Sequence, residues 1–174
     1  MIVSVRKRRA PSRANRTLEP QSRQSASPQP LAPLPVEGLV EVVFPDGLFG
    51  LPECRRFVLT KYQPEDGSAS PFFLLQCQDE NLSLPVLDPR WVVPDYHFSI
   101  APDVLVYLQA NAVEELSTLA IVTVRDRVED ITLNLQGPLV VNFTAQRGLQ
   151  MVVEHFPVRY PLFVQTDEPR VATK

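Results

Sequence analysis

The chain has 174 residues, 44% of them hydrophobic and 21% charged, with a formal net charge of −3. Such a length suits one domain with a modest extension, and the composition excludes a collagen, a mucin-like stalk and a wholly disordered chain. The near-neutral total conceals a split, because residues 1–35 carry +6 and leave −9 on the remainder.

In chain order the first element is that basic stretch. Arg6, Lys7, Arg8, Arg9, Arg13, Arg16 and Arg23 stand against a single acid, Glu19, and no aromatic residue precedes Phe44. A segment of this kind cannot bury enough apolar surface to offset its ordering entropy, so residues 1–36 read as a disordered, basic, proline-rich tail. Its cations suit nucleic-acid phosphates but no aromatics are interleaved for stacking, which leaves two readings: a solvated tail, or weak RNA contact. The tail closes with Gln29-Pro30-Leu31-Ala32-Pro33-Leu34-Pro35, whose spaced prolines favour extended geometry and exclude a helix.

From Leu39 short β-branched and aromatic runs alternate with Pro, Gly, Asn and Asp, the pattern of strands separated by turns. The predicted strands are Leu39–Phe44, Arg56–Tyr62, Phe72–Cys77, Ser83–Leu87, Thr118–Val124, Ile131–Leu135, Leu139–Phe143 and Leu149–Val153. Ile131, Leu133 and Leu135 alternate with Thr132 and Asn134, and Leu139, Val141 and Phe143 alternate with Val140 and Asn142, which predicts one wet or polar face. Gln136-Gly137-Pro138 between them predicts a hairpin with these two runs paired antiparallel. Pro102–Leu116, where Leu105, Leu108, Ala112 and Leu116 are spaced along one helical face, reads as a short helix or mixed connector. The expected architecture is all-β: a small, single-domain, antiparallel β-barrel-like fold over residues 37–165 with one short helical connector, followed by a flexible tail at 166–174.

No catalytic constellation emerges from the inventory. His97 and His155 have no Cys or second His at ligand spacing, so no metal site is expected and each reads as a surface or strand-edge histidine. No G-x-S-x-G elbow is present. Gly47-Leu48-Phe49-Gly50 lacks the Lys and Ser/Thr of a phosphate loop and reads as a turn entering a strand. Glu53, Asp79-Glu80, Glu114-Glu115 and Glu129-Asp130 sit in turn-like contexts where solvated charge is the default. Cys54 and Cys77, widely spaced among hydrophobic residues, read as buried small hydrophobes in a reducing compartment. No apolar stretch follows the basic start as a secretory signal requires, and no apolar run approaches the ~20 residues that span a bilayer. A cytoplasmic, non-enzymatic protein without a cofactor is expected.

Phe44-Pro45-Asp46-Gly47-Leu48-Phe49-Gly50-Leu51-Pro52-Glu53 with Arg56-Phe57-Val58-Leu59, then Ser70-Pro71-Phe72-Phe73-Leu74-Leu75-Gln76, resembles the opening of the flagellar assembly factor FliW family. In the family's order follow Asp88-Pro89, Pro94-Asp95-Tyr96, Leu119–Val124, Asn134–Asn142, Gly148-Leu149-Gln150 and Tyr160-Pro161-Leu162-Phe163, so the likeness spans about residues 38–164. Gly137 where the family usually has Ala, and Phe49 in place of a common Pro, are departures confined to two turns. The resemblance implies a cytoplasmic β domain that binds newly made flagellin and the translational repressor CsrA. Flagellin, as it accumulates, occupies such a protein and frees CsrA to silence flagellin mRNA; export of flagellin lets the protein sequester CsrA again. An acidic domain would be steered toward a basic RNA-binding regulator. The alternatives are a small-ligand-binding β-barrel and an RNA-associated adaptor that uses the basic tail. Asp95 and Tyr96, behind the turn-forming Pro94, are the candidate partner-binding residues; a core position for Tyr96 with its hydroxyl at the surface is the competing reading.

Overall fold

The computed structural model describes Leu34 and residues 38–163. The sequence readings for the last residues and for the basic tail fall outside them, except at Leu34, which packs on the barrel's inner core instead of standing free. The strands are β1 (Val40–Val43), β2 (Arg56–Lys61), β3 (Phe72–Cys77) and β4 (Ser83–Leu87). After the helix α1 (Pro102–Tyr107) come β5 (Ser117–Thr123), β6 (Thr132–Leu133), β7 (Leu139–Asn142), β8 (Arg147–Gln150) and β9 (Tyr160–Pro161).

Seven of the strands close on themselves in the order β4-β3-β2-β1-β8-β7-β5, with β5 returning to β4 through Val86 opposite Ile121 and Leu87 opposite Ala120. The expected all-β, barrel-like architecture is present, and its ladders are antiparallel except one. β1 meets β8 in parallel through the single pair Val43 and Arg147, reinforced by the Val43 N–H donating to the Gln146 carbonyl at 2.8 Å. Closure satisfies the strand edges that an open sheet would expose.

Alternation along the strands sorts side chains into separate cores. The lumen holds Val42, Phe44, Phe57, Leu59, Leu75, Val86, Leu119, Leu139 and Val141. Phe44 meets Phe57 edge-on at 5.4 Å between ring centres, and Gly148 makes the room, since a Cβ there would lie 2.5 Å from Phe44 ring atoms. Neighbouring residues turn outward: Leu87, Ala120 and Val122 form a second core with Tyr96, Leu133 and Leu135, and Val140 forms a third with Leu108 and Leu116. With both faces covered, β5 reads as the continuous run Ser-Thr-Leu-Ala-Ile-Val-Thr instead of an alternating one.

Helix α1 covers the third core. Pro102 occupies its first turn, where the missing N–H costs nothing, and Asp103 complements the positive end of the helix dipole. Val104, Leu105 and Leu108 face the barrel while Val106 is 78% exposed. The Tyr107 hydroxyl donates to Asp46 at 2.6 Å, and the Arg147 guanidinium lies 4.8 Å from the Tyr107 ring centre.

Two expectations fail here. The outer face of Leu139–Phe143 is not wet: α1 packs on it, and Asn142 is 2% exposed. Asn142 is tolerated because its side chain is fully engaged, donating to the Leu108 and Gln109 carbonyls at 3.1 Å and accepting from the Thr144 and Ala145 N–H groups. The predicted hairpin is also absent. β6 and β7 each run antiparallel to β5, with Leu133 opposite Val122 and Leu139 opposite Leu119, and they do not pair with each other. The chain therefore keeps one direction, and Asn134–Pro138 is a detour within it. Local hydrogen bonds hold that detour: the Asn134 side chain accepts the Gly137 N–H at 2.9 Å, and Gln150 donates to the Gly137 carbonyl at 3.1 Å.

Candidate functional site

On the outer surface of the barrel the second core ends in an open apolar groove of about 270 Å³. Phe72 and Leu74 of β3, Pro85 of β4 and Val122 of β5 line it together with Ile131 and Leu162, which flank β6 and β9. Leu74 and Pro85 stand directly opposite one another in the β3–β4 ladder, so the two strands present one continuous apolar surface. Three further lining residues are unusually exposed for their type: Tyr62 at 43%, Val124 at 61% and Phe163 at 46%. Apolar side chains gathered in this way are a feature of surfaces that meet another protein. Charged and polar residues border the neighbouring cleft, among them Arg125, Glu129, Asp130 and Arg159. The groove went unrecognised in the sequence, although Phe72-Phe73-Leu74-Leu75 carries a signal: a strand apolar at consecutive positions has two faces to cover.

Pro94 and Asp95 occupy a turn closed by the Tyr96 N–H donating to the Val93 carbonyl at 2.9 Å. Asp95 is exposed. Tyr96 is 3% exposed and lies in the second core, packed against Phe98 and Phe156 with ring-centre distances of 5.7 and 4.5 Å. Its hydroxyl is internal too, donating to the Leu135 carbonyl at 2.6 Å, and burial pushes the phenol above its ordinary pKa. The structure therefore separates the two side chains that the sequence grouped: Asp95 faces solvent, and Tyr96 supports the turn from beneath.

Three of the other carboxylates singled out in the sequence have structural partners. Asp79 accepts the Arg55 and Arg56 N–H groups at 3.1 and 2.9 Å and pairs with the Arg56 guanidinium at 2.7 Å, and the backbone N–H of Arg56 is the main cause holding its carboxyl down at about 2. Glu115 accepts from the Asn111 N–H and amide, and Glu129 pairs with Arg127. Gly47, with φ of +70°, turns the chain so tightly that a Cβ would come within 2.7 Å of the Leu51 carbonyl oxygen. His97 and His155 are exposed and border one open cleft with Met151 and Glu154; the His97 Nδ1–H donates to the Asp95 carbonyl at 2.6 Å. Among the described residues no three or more His, Cys, Asp or Glu side chains gather as a metal site, and no helix is long and apolar enough to cross a membrane.

Comparison with known proteins bears on what such a surface serves. The family profile described as FliW protein matches residues 32–162. The flagellar assembly factor FliW of Lachnoclostridium phytofermentans is 33% identical over 125 residues, covering 70% of this chain and 80% of the relative. That of Treponema denticola is 34% identical over 118 residues, covering 67% and 76%. A crystal structure of the flagellar assembly factor FliW superposes with a TM-score of 0.63 at 27% identity, covering 72% of this chain and 87% of the other.

Proposed function

Because this chain belongs to the FliW family of flagellar assembly factors, we propose that it works by exchanging protein partners, binding flagellin and sequestering a CsrA-type translational regulator in alternation. The observation that carries this reading is the family match, which extends over nearly the whole described domain. The surface supports it in two ways. The apolar groove around Phe72, Leu74 and Phe163 suits an apolar segment of a protein partner, and the acidic surplus beyond residue 35, Asp95 included, suits a basic RNA-binding one. A lumen filled by Phe44, Phe57 and Leu75 gives no support to the small-ligand barrel. This reading places the protein's work in the cytoplasm, without catalysis.

The test is titration of the purified chain against the flagellin and the CsrA-type protein of the same cell, separately and in competition. Each is expected to bind, and flagellin to release the regulator. Tyr62→Glu and Phe163→Glu should weaken flagellin capture at least tenfold with little change in melting temperature, whereas Asp95→Lys should slow regulator binding most at low salt. Failure of both proteins to bind would refute the partner-exchange reading. Binding that ignores the groove and Asp95 variants would move the interfaces elsewhere on the domain.

A further inference from the structure

We propose that Trp91 and Asp95 together form a receptor for a cationic side chain, an arginine or lysine of the basic regulator, with the indole face meeting the cation and the carboxylate pairing with it. Such a receptor rests on the partner-exchange reading and gives its regulator-binding half a place on the domain. Trp91 is the only tryptophan of the chain, and it is 72% exposed, although tryptophan is on average a highly buried side chain. An indole left in water has apolar area still to bury, and tryptophan is enriched among the residues that dominate affinity once a partner covers them.

The backbone beneath it is fixed. Pro89–Trp91 form a single 3₁₀ turn after β4, capped by Asp88, whose side chain accepts the Arg90 N–H at 2.9 Å. The Trp91 N–H donates to the Asp88 carbonyl at 3.0 Å, and the Val92 and Val93 N–H groups both donate to the Pro89 carbonyl, at 3.0 and 2.9 Å. Val92 and Val93 pack on the second core, where Tyr96 closes the turn that carries Asp95. Trp91 and Asp95 thus leave the surface from two consecutive turns anchored in one core, so a partner that engages them has little backbone to order. The same segment decides the sign of that partner's charge. Asp88 holds the Arg90 guanidinium with both carboxylate oxygens, at 2.9 and 3.1 Å from Nε, so the cation next to Trp91 in the chain is neutralised in place. Asp95, by contrast, has no ion-pair partner among the described residues. An exposed indole and an unpaired carboxylate on one rigid segment attract a cation twice, through the ring quadrupole and through the opposite charge. Arginine suits them best, because its planar guanidinium stacks on a ring while its N–H fork reaches a carboxylate. The acidic surplus beyond residue 35 draws a basic protein toward the domain, and this pair gives it a point of attachment.

The experiment uses the full chain labelled with fluorotryptophan, which gives one fluorine resonance, and adds the CsrA-type protein of the same cell. The resonance is expected to shift on complex formation and to lose the solvent-isotope effect of an indole in contact with water. In titrations Trp91→Ala should weaken regulator binding by about tenfold or more, and Trp91→Leu about as much, since leucine keeps apolar bulk but offers no ring face; Trp91→Phe should lose only about threefold. Asp95→Asn should weaken binding as well, and the double variant Trp91→Leu/Asp95→Asn should lose less than the product of the two single losses, because both groups hold one cation. Melting temperatures should stay within about 2 °C of wild type, as befits exposed side chains. Full affinity in Trp91→Leu, a double variant that loses the whole product, or a resonance unmoved in the complex would overturn the receptor and leave partner exchange standing; the last of these needs no variant to fold. A regulator that does not bind the wild type at all would overturn both.

Discussion

Replacing Tyr96 by Phe removes one oxygen atom from the second core and leaves the ring among Phe98 and Phe156. The lost hydroxyl is the group that donates to the Leu135 carbonyl at 2.6 Å, in a residue only 3% exposed, so that carbonyl loses its side-chain donor without gaining water. An orphaned buried acceptor costs about 1–3 kcal/mol. For a domain of this size that is a fall in melting temperature of roughly 3–10 °C. Tyr96→Ala removes the ring as well and should cost about 3–5 kcal/mol. Alkali supplies an independent check. Burial raises the phenol's pKa in the folded state, so its contribution is complete below the ordinary value of 10.0 and is lost as pH rises above it. Tyr96→Phe should therefore be less stable than wild type at pH 7 yet lose less on going to high pH. Urea unfolding at several pH values, read beside partner titration, measures all of this. A Tyr96→Phe protein with unchanged stability but partner affinity reduced about tenfold would refute the core assignment and restore Tyr96 to an interface.

Gly148→Ala should destabilise by about 1–3 kcal/mol through overpacking against Phe44, and combining it with Phe44→Leu should recover part of the loss in thermal melts. The Asp79 carboxyl, lowered from 3.8 to about 2, contributes stability present above pH 3.8 and lost as pH falls through about 2; Asp79→Asn should flatten the acid-unfolding curve across that interval, followed by circular dichroism. Removing residues 1–36 should leave one cooperative thermal transition, since every strand of the described residues lies beyond the cut; its disappearance would move the domain boundary upstream.

Local pattern made most strands readable. Phe72–Cys77 and Ser83–Leu87 fall where the β-branched and aromatic runs place them, and Pro102 begins the short helix. What escaped depends on distant partners. Asn142 looks like a solvent-facing residue until α1 arrives over it, and only the register on β5 decides that Gln136-Gly137-Pro138 is a detour and not a hairpin turn. β9, two residues long and half proline, has no periodicity to detect and exists because β6 pairs with it. Tyr96 shows the same limit at the site: Pro94 marks the turn, but which neighbouring side chain points inward is set by the cavity between Phe98 and Phe156. The groove required separated parts of the chain, among them those around Phe72, Pro85, Val122 and Leu162, to be brought to one surface.

The seam between β1 and β8 makes the barrel a bracelet with one clasp. β1 is zipped to β2 over four residue pairs from Val40 to Val43, whereas it meets β8 at Val43 alone. Amide exchange should be fastest along that side of β1, and the ring can breathe there while the β4–β5 joint and the two outer cores stay shut. Leu34, ahead of β1 in the chain, packs on the lumen core, and the clasp lies at the opposite, Val43 end of that strand. A ring held at one place by a single pair is loosest there, next to Phe44 and the Gly148 that makes room for its ring.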